Sequence, residues 1–208
     1  MVELNKTTVG DNSENGAHNM VKIIIDNCEV VVPEHTTILD AAKSAGIQIP
    51  TLCYLRDLNE IGGCRVCLVE VEGCDQLVAA CNNYVLDGMM VHTNSPKARE
   101  ARRTNVQLLL SQHDSQCTSC VRSGNCELQT MAQQMGIREI RFEGEKSTFP
   151  IDDRSVAIVR DPNKCILCRR CVATCQKVQG VSILGLVNRG FNSTVGTAFN
   201  HPLDDINC

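Results

Sequence analysis

The stretch His113-Asp-Ser-Gln-Cys117-Thr-Ser-Cys120-Val-Arg-Ser-Gly-Asn-Cys126 holds four metal-ligand side chains in one short run. Thiolates crowded this closely repel one another once ionised, and a bound metal is what makes the crowding favourable. Cys117 and Cys120 stand two residues apart, so one tight turn carries both sulfurs, a bite that suits iron–sulfur clusters and zinc alike. Gly124 lets the chain curl so that Cys126 returns to the same centre. A helical pattern begins at Ser95-Pro96, a cap followed by proline at the first helical position. It runs through Leu108-Leu-Leu110 to about Ser111 and delivers His113 at its end as a fourth, nitrogen ligand. Such a set suits a 4Fe-4S cluster better than a mononuclear site.

Histidine, three residues, cysteine, two residues, cysteine, five residues, cysteine resembles the His-ligated cluster motif of three related groups. These are FeFe-hydrogenases, the large iron–sulfur subunit of respiratory NADH dehydrogenases, and some NAD-linked formate dehydrogenases. The flanking chain decides among them.

With 208 residues there is room for two or three small domains. Aromatic residues make up only 3% and tryptophan is absent, so modules this poor in large side chains need staples. Fourteen cysteines supply them, as disulfides or as metal ligands. Met1 to Met20 is polar and reads as no signal peptide, so a reducing cytoplasm is expected and metal binding is favoured over disulfides. No run approaches a membrane span. A net charge of -4 points away from nucleic acid.

Residues 1–19 read as a disordered leader, with His18 inert. Val21-Lys-Ile-Ile-Ile25 and Cys28-Glu-Val-Val-Val32 flank Asp26-Asn27 and predict a hairpin. Thr37 and Asp40 form a capping box for a helix over Ile38–Ser44, stopped at Gly46. Two strands and a helix open a β-grasp ferredoxin domain, expected over 20–95. Arg65-Val-Cys-Leu-Val-Glu-Val71 and Gln76-Leu-Val-Ala-Ala80 read as paired strands. Cys53, Cys64, Cys67 and Cys81 fall in and after a loop containing Gly62-Gly63. A plant-type 2Fe-2S ferredoxin spaces its first two ligands by four residues; here the gap is ten, a departure that resembles the three enzyme groups. Cys28 reads as a small buried hydrophobe, and Cys74 as an exposed thiol in a turn. His35, His92 and His201 read as non-ligands. Lys97, Arg99, Arg102 and Arg103 read as a solvated basic face. A further helix is expected from Glu127 to Met135, then strand and loop from Arg138 to Asp153, with the His-ligated 4Fe-4S domain over 96–150.

Cys165-Ile-Leu-Cys168-Arg-Arg-Cys171-Val-Ala-Thr-Cys175 carries the spacing of a bacterial two-cluster ferredoxin, except that Gln176 replaces the usual proline. This third domain, 151–208, completes an α+β fold class. The runs from Cys175 to Gly185, Asn188-Arg-Gly-Phe191, Thr197 to Leu203 and Cys208 resemble FeFe-hydrogenases, most of all the multimeric, NAD(P)-linked, electron-bifurcating type. Cys175 sets the chain apart from respiratory NADH dehydrogenases. The formate dehydrogenases share it and are the second reading; a zinc-stabilised interaction module is the third.

The resemblance implies a 2Fe-2S cluster on Cys53, Cys64, Cys67 and Cys81, and a 4Fe-4S cluster on His113, Cys117, Cys120 and Cys126. It implies one further 4Fe-4S cluster on Cys165, Cys168 and Cys171 and another shared by Cys175 and Cys208, both completed by ligands beyond Cys208. The expectation is therefore a longer polypeptide, with the hydrogen-activating H-cluster in a later domain and no catalytic residue here. Implied partners are a flavin- and NAD(P)-binding iron–sulfur subunit, a small 2Fe-2S subunit, and ferredoxin. A neutral imidazole in place of a thiolate removes negative charge, so the His113 cluster is expected to be less reducing than an all-cysteine one.

Overall fold

The computed structural model describes residues 19–206. Strands β1 (Met20–Ile25) and β2 (Cys28–Pro33) form the expected hairpin. Asp26 and Asn27 both take positive φ, the conformation a two-residue hairpin turn of matching twist requires. Alternation along β1 buries Val21, Ile23 and Ile25, and along β2 Val30 and Val32, which makes one apolar face. Helix α1 (Ile38–Ser44) lays Ile38, Leu39, Ala41 and Ala42 on that face. Its start is fixed by Thr37, whose Oγ1 accepts from the Asp40 backbone N–H at 3.1 Å.

Strands β3 (Leu68–Val71), β4 (Val78–Ala79) and β5 (Met90–His92) complete a five-stranded sheet in the order β2-β1-β5-β3-β4. β5 lies parallel to β1, and the remaining pairs are antiparallel. This is the β-grasp arrangement that the first two strands and α1 lead one to expect. The paired strands predicted over Arg65–Val71 and Gln76–Ala80 are shorter than their apolar runs, because the chain around Cys67 and Cys81 turns away from the ladder.

Helix α2 (Pro96–Gln112) begins at the Ser95 cap and ends with His113 as its C-cap. Helix α3 (Glu127–Gln134) packs Leu128 and Met131 against Leu52, Val66 and Val106, a second apolar cluster separate from that of the sheet. Residues 138–153 form no regular strand; only an isolated bridge between Asp152 and Arg160 remains of the strand expected there. Arg154 and Arg160 hold Asp152 by ion pairs, pushing its carboxyl well below the usual range through those hydrogen bonds. Helix α4 (Arg170–Lys177) and the hairpin β6 (Leu184–Val187) with β7 (Thr194–Thr197) follow. None of the described helices is long and apolar enough to cross a membrane. The leader with His18, and Cys208, lie outside the described residues.

Candidate iron–sulfur centres

The loop between α1 and β3 delivers three cysteines of the first set, and Cys81 follows β4. Cys53, Cys67 and Cys81 are buried and Cys64 is half-buried. Their thiols are close enough to exchange hydrogen bonds in two pairs. The bond from Cys53 pulls Cys64 down to about 5 and pushes Cys53 up; the bond from Cys81 pulls Cys67 down to about 7 and pushes Cys81 up. Charge repulsion links the pairs, since Cys64 acts on both Cys67 and Cys81. Two hydrogen-bonded thiol pairs therefore lie near one another, with three of the four cysteines buried, a donor set that fits an iron–sulfur cluster. The Cys64 N–H points at the Cys53 sulfur at 3.5 Å, the kind of backbone contact that tunes such a group. Gly62 has φ +60, a conformation that favours glycine, and a Cβ there would lie 2.8 Å from Asn82 Nδ2, so that exposed side chain would have to swing away.

The second set hangs on the end of α2. His113 is half-buried, its Nδ1 is buried without a partner, and burial pushes its pKa down, toward the neutral form that ligates metal. Cys117 to Ser119 make a tight 3-10 turn, and the Arg122 N–H reaches the Cys120 sulfur at 3.5 Å. Gly124, at φ +79, curls the chain back so that Cys126 becomes the N-cap of α3. An orphaned imidazole nitrogen followed by this cysteine loop is a donor set that fits a 4Fe-4S group.

In the third set, Leu167 and Arg169 adopt left-handed φ of 53° and 61°, winding the chain between Cys165, Cys168 and Cys171. The Leu167 N–H points at the Cys165 sulfur at 3.4 Å. Cys165 and Cys171 are exposed residues, but partial desolvation of their thiols pushes both up, and charge repulsion from Cys168 adds to it in each. Cys171 and Cys175 sit one turn apart on α4, and Cys175 is buried. Gln176, where proline is usual, lets α4 continue to Lys177. Among the described residues, no three His, Cys, Asp or Glu side chains converge to single-ion distances.

Ties between the sets hold them as one body. The second apolar cluster has Cys64, Cys126 and Ile166 along its margin, one from each cysteine loop. Arg170 pairs with Glu127 at 2.7 Å, and the Asp114 N–H donates to Asn163 O at 2.9 Å. Asn59 Nδ2 donates to both Cys53 O and Cys168 O, at 2.7 and 2.9 Å.

Two readings of the sequence are corrected here. Cys28 is exposed rather than buried, since it begins β2 beside the turn, beyond the cover of α1. The basic start of α2 is not a uniformly solvated face: Arg102 is only 6% exposed, and its Nε and Nη2 donate to Leu68 O. Cys74 is exposed in its turn, His35 and His201 are exposed, and His92 Nε2 bonds to Glu72 at 2.8 Å.

Three cluster-binding regions in series on this scaffold define an iron–sulfur electron-transfer protein. Residues 18–96 match the 2Fe-2S iron-sulfur cluster binding domain, and 102–141 match the iron–sulfur binding region of NADH-ubiquinone oxidoreductase-G. Residues 155–206 match the ferredoxin-like domain of NADH-quinone oxidoreductase subunit 3. The chain is 47% identical to the NADP-reducing hydrogenase subunit HndD of Solidesulfovibrio fructosivorans, over 91% of this chain and 33% of that one. It is 38% identical to the NADPH-Fe(3+) oxidoreductase alpha subunit of Geobacter sulfurreducens, over 89% of this chain and 22% of that one. It thus spans a third or less of these two relatives. A chain in a crystal structure of an NAD+-reducing [NiFe]-hydrogenase superposes with a TM-score of 0.78 at 31% identity, covering 85% of this chain and 74% of that one. The chain belongs to the family of electron-transfer iron–sulfur subunits of NAD(P)-linked hydrogenases and NADH oxidoreductases.

Proposed function

We propose that the chain is the relay arm of an FeFe-hydrogenase of the multimeric, NAD(P)-linked and electron-bifurcating type, working in the cytoplasm. The observation that supports the relay is the pairing of Cys53 with Cys64 and of Cys67 with Cys81, three of them buried, in a body tied to two further cysteine sets. In this reading these four hold a 2Fe-2S cluster within a domain spanning 20–95. His113, Cys117, Cys120 and Cys126 hold a 4Fe-4S cluster within 96–150. Cys165, Cys168 and Cys171 serve one ferredoxin-type cluster and Cys175 and Cys208 another, within 151–208. When bound, such clusters supply one-electron carriers. The chain's own residues bury most of the first site, aim backbone N–H groups at ligand sulfurs and fix the spacing of the loops. Electrons then pass between a flavin- and NAD(P)-binding partner, with a small 2Fe-2S subunit and ferredoxin as further partners, and an H-cluster in another domain.

The 47% identity with HndD supports the NAD(P)-linked hydrogenase part of this reading, and the FeFe type rests on the runs from Cys175 to Cys208 that resemble FeFe-hydrogenases. The superposition on a chain of an NAD+-reducing [NiFe]-hydrogenase favours a second, in which the same arm serves a nickel–iron site. Iron, acid-labile sulfide and nickel in the anaerobically purified intact complex separate them. Nickel in the complex selects the second reading. For a polypeptide ending at Cys208, the expected content is about six irons, one 2Fe-2S and one 4Fe-4S cluster. About fourteen irons are expected where ligands beyond Cys208 close the other two. Zinc without sulfide would sink the relay.

A further inference from the structure

The gap between Cys53 and Cys64 contains a small folded unit. Leu55 and Asn59 bridge one another through backbone bonds of 3.0 and 2.7 Å, which closes a turn and points the Asn59 side chain inward. Asn59 is only 3% exposed. Its Nδ2 donates one N–H to Cys53 O at 2.7 Å and the other to Cys168 O at 2.9 Å, a residue 109 positions further along the chain. A carboxamide has two N–H donors on one nitrogen, and both are spent here on main-chain carbonyls of cysteines from different sets. The orientation follows from the partners, because the flipped amide would set its oxygen against two carbonyls. Lys177 Nζ on Asp57 O, at 3.4 Å, is a second and more exposed tie between the same loop and α4.

We propose that Asn59 is a positioning residue that fixes the separation of the Cys53 and Cys168 loops, and that the ten-residue gap exists to carry it. The proposal rests on the relay reading. A gap of four residues has no room for the Leu55–Asn59 turn, so the amide could not reach across. Serine or threonine at this position would offer one donor, and aspartate as a carboxylate would offer none. One-electron transfer makes and breaks no bond: one centre is oxidised as the other is reduced. Its rate falls steeply with separation, which is what a rigid amide bridge between the two ligand loops sets.

The test uses the anaerobically purified intact complex, in which ligands beyond Cys208 close the centre on Cys165, Cys168 and Cys171, and three forms of it, Asn59→Leu, Asn59→Asp and Asn59→Gln. Iron and sulfide content is measured first, then the microwave-power saturation of the reduced 2Fe-2S signal, then the rate of electron exchange by freeze-quench. In the unmodified protein, that signal is expected to relax faster once the neighbouring 4Fe-4S centre is reduced. Asn59→Leu is expected to keep its iron, lose most of this enhancement and exchange electrons several-fold more slowly. Asn59→Asp is expected to be worse, because a carboxylate faces two carbonyls, and Asn59→Gln to recover part of the loss. A fully loaded leucine variant with unchanged relaxation and rate would overturn the proposal. So would an unmodified, fully loaded protein showing no enhancement, whatever the variants do. Absence of sulfide in the unmodified protein would instead remove the relay reading itself.

Discussion

His113→Ala is expected to strip about four irons from each chain while leaving the 2Fe-2S centre in place. His113 caps α2, and its Nδ1 is buried with no partner in the protein, so truncation opens a ligand position that no nearby group fills. Cys67 and Cys81 belong to the sheet's own core and Cys53 is buried, so of the four only Cys64 borders the apolar cluster that α2 shares. Iron and sulfide analysis with electron paramagnetic resonance of the reduced protein reads both outcomes at once. His113→Cys makes the sharper comparison. It is expected to keep the cluster but to lower its potential, because a thiolate adds the negative charge that neutral imidazole lacks and so disfavours the reduced form. A fully loaded alanine variant would remove His113 from the ligand set.

Arg102→Met is expected to make the 2Fe-2S centre more reducing and the fold less stable. Arg102 is buried, and its two hydrogen bonds, 2.9 and 2.5 Å, both end on Leu68 O, the carbonyl next to Cys67. Burial pushes its pKa down, while the Cys67 thiolate and Asp26 hold it up, so the cation is stationed beside the cysteine pocket. Methionine matches the aliphatic stem but removes both charge and donors. An unpaired buried carbonyl costs about 1–3 kcal/mol. The lost cation no longer offsets the extra negative charge of the reduced state. Arg102→Lys keeps the charge without the two-pronged contact, and is expected to restore most of the potential but less of the thermal stability. Redox titration and thermal unfolding separate the two effects. An unshifted potential in Arg102→Met would leave the arginine a purely structural role.

The elements that sequence reading located best are those specified by neighbours in the chain. Alternation fixes β1 and β2, Thr37 and Asp40 mark the start of α1, and Ser95-Pro96 marks that of α2. The cysteine loops were legible for the same reason, since glycine and left-handed turns between close ligands are local features. Arg102 was legible but misread: Ala98, Arg102 and Val106 recur every four residues and are all buried, so the arginine lies on the inward stripe of α2. Cys28 shares strand parity with Val30 and Val32, yet its place at the strand end leaves it uncovered. Asn59 carried no signal, because its meaning depends on a carbonyl 109 residues away. The strand expected before Asp152 failed because no partner strand runs alongside it and only one bridge forms.

The second apolar cluster has a consequence for how the protein is lost. Leu52, Val66, Val106, Leu128 and Met131 are few, and Cys64, Cys126 and Ile166 border them from three different loops. So small a layer has little reserve once one border residue shifts. Oxygen that destroys the group held by any one loop frees that border and loosens the wall behind the other two. Damage at one centre is then expected to lower the unfolding temperature of the whole chain, even where the sheet-borne centre stays loaded, an effect that thermal unfolding before and after exposure to air would read.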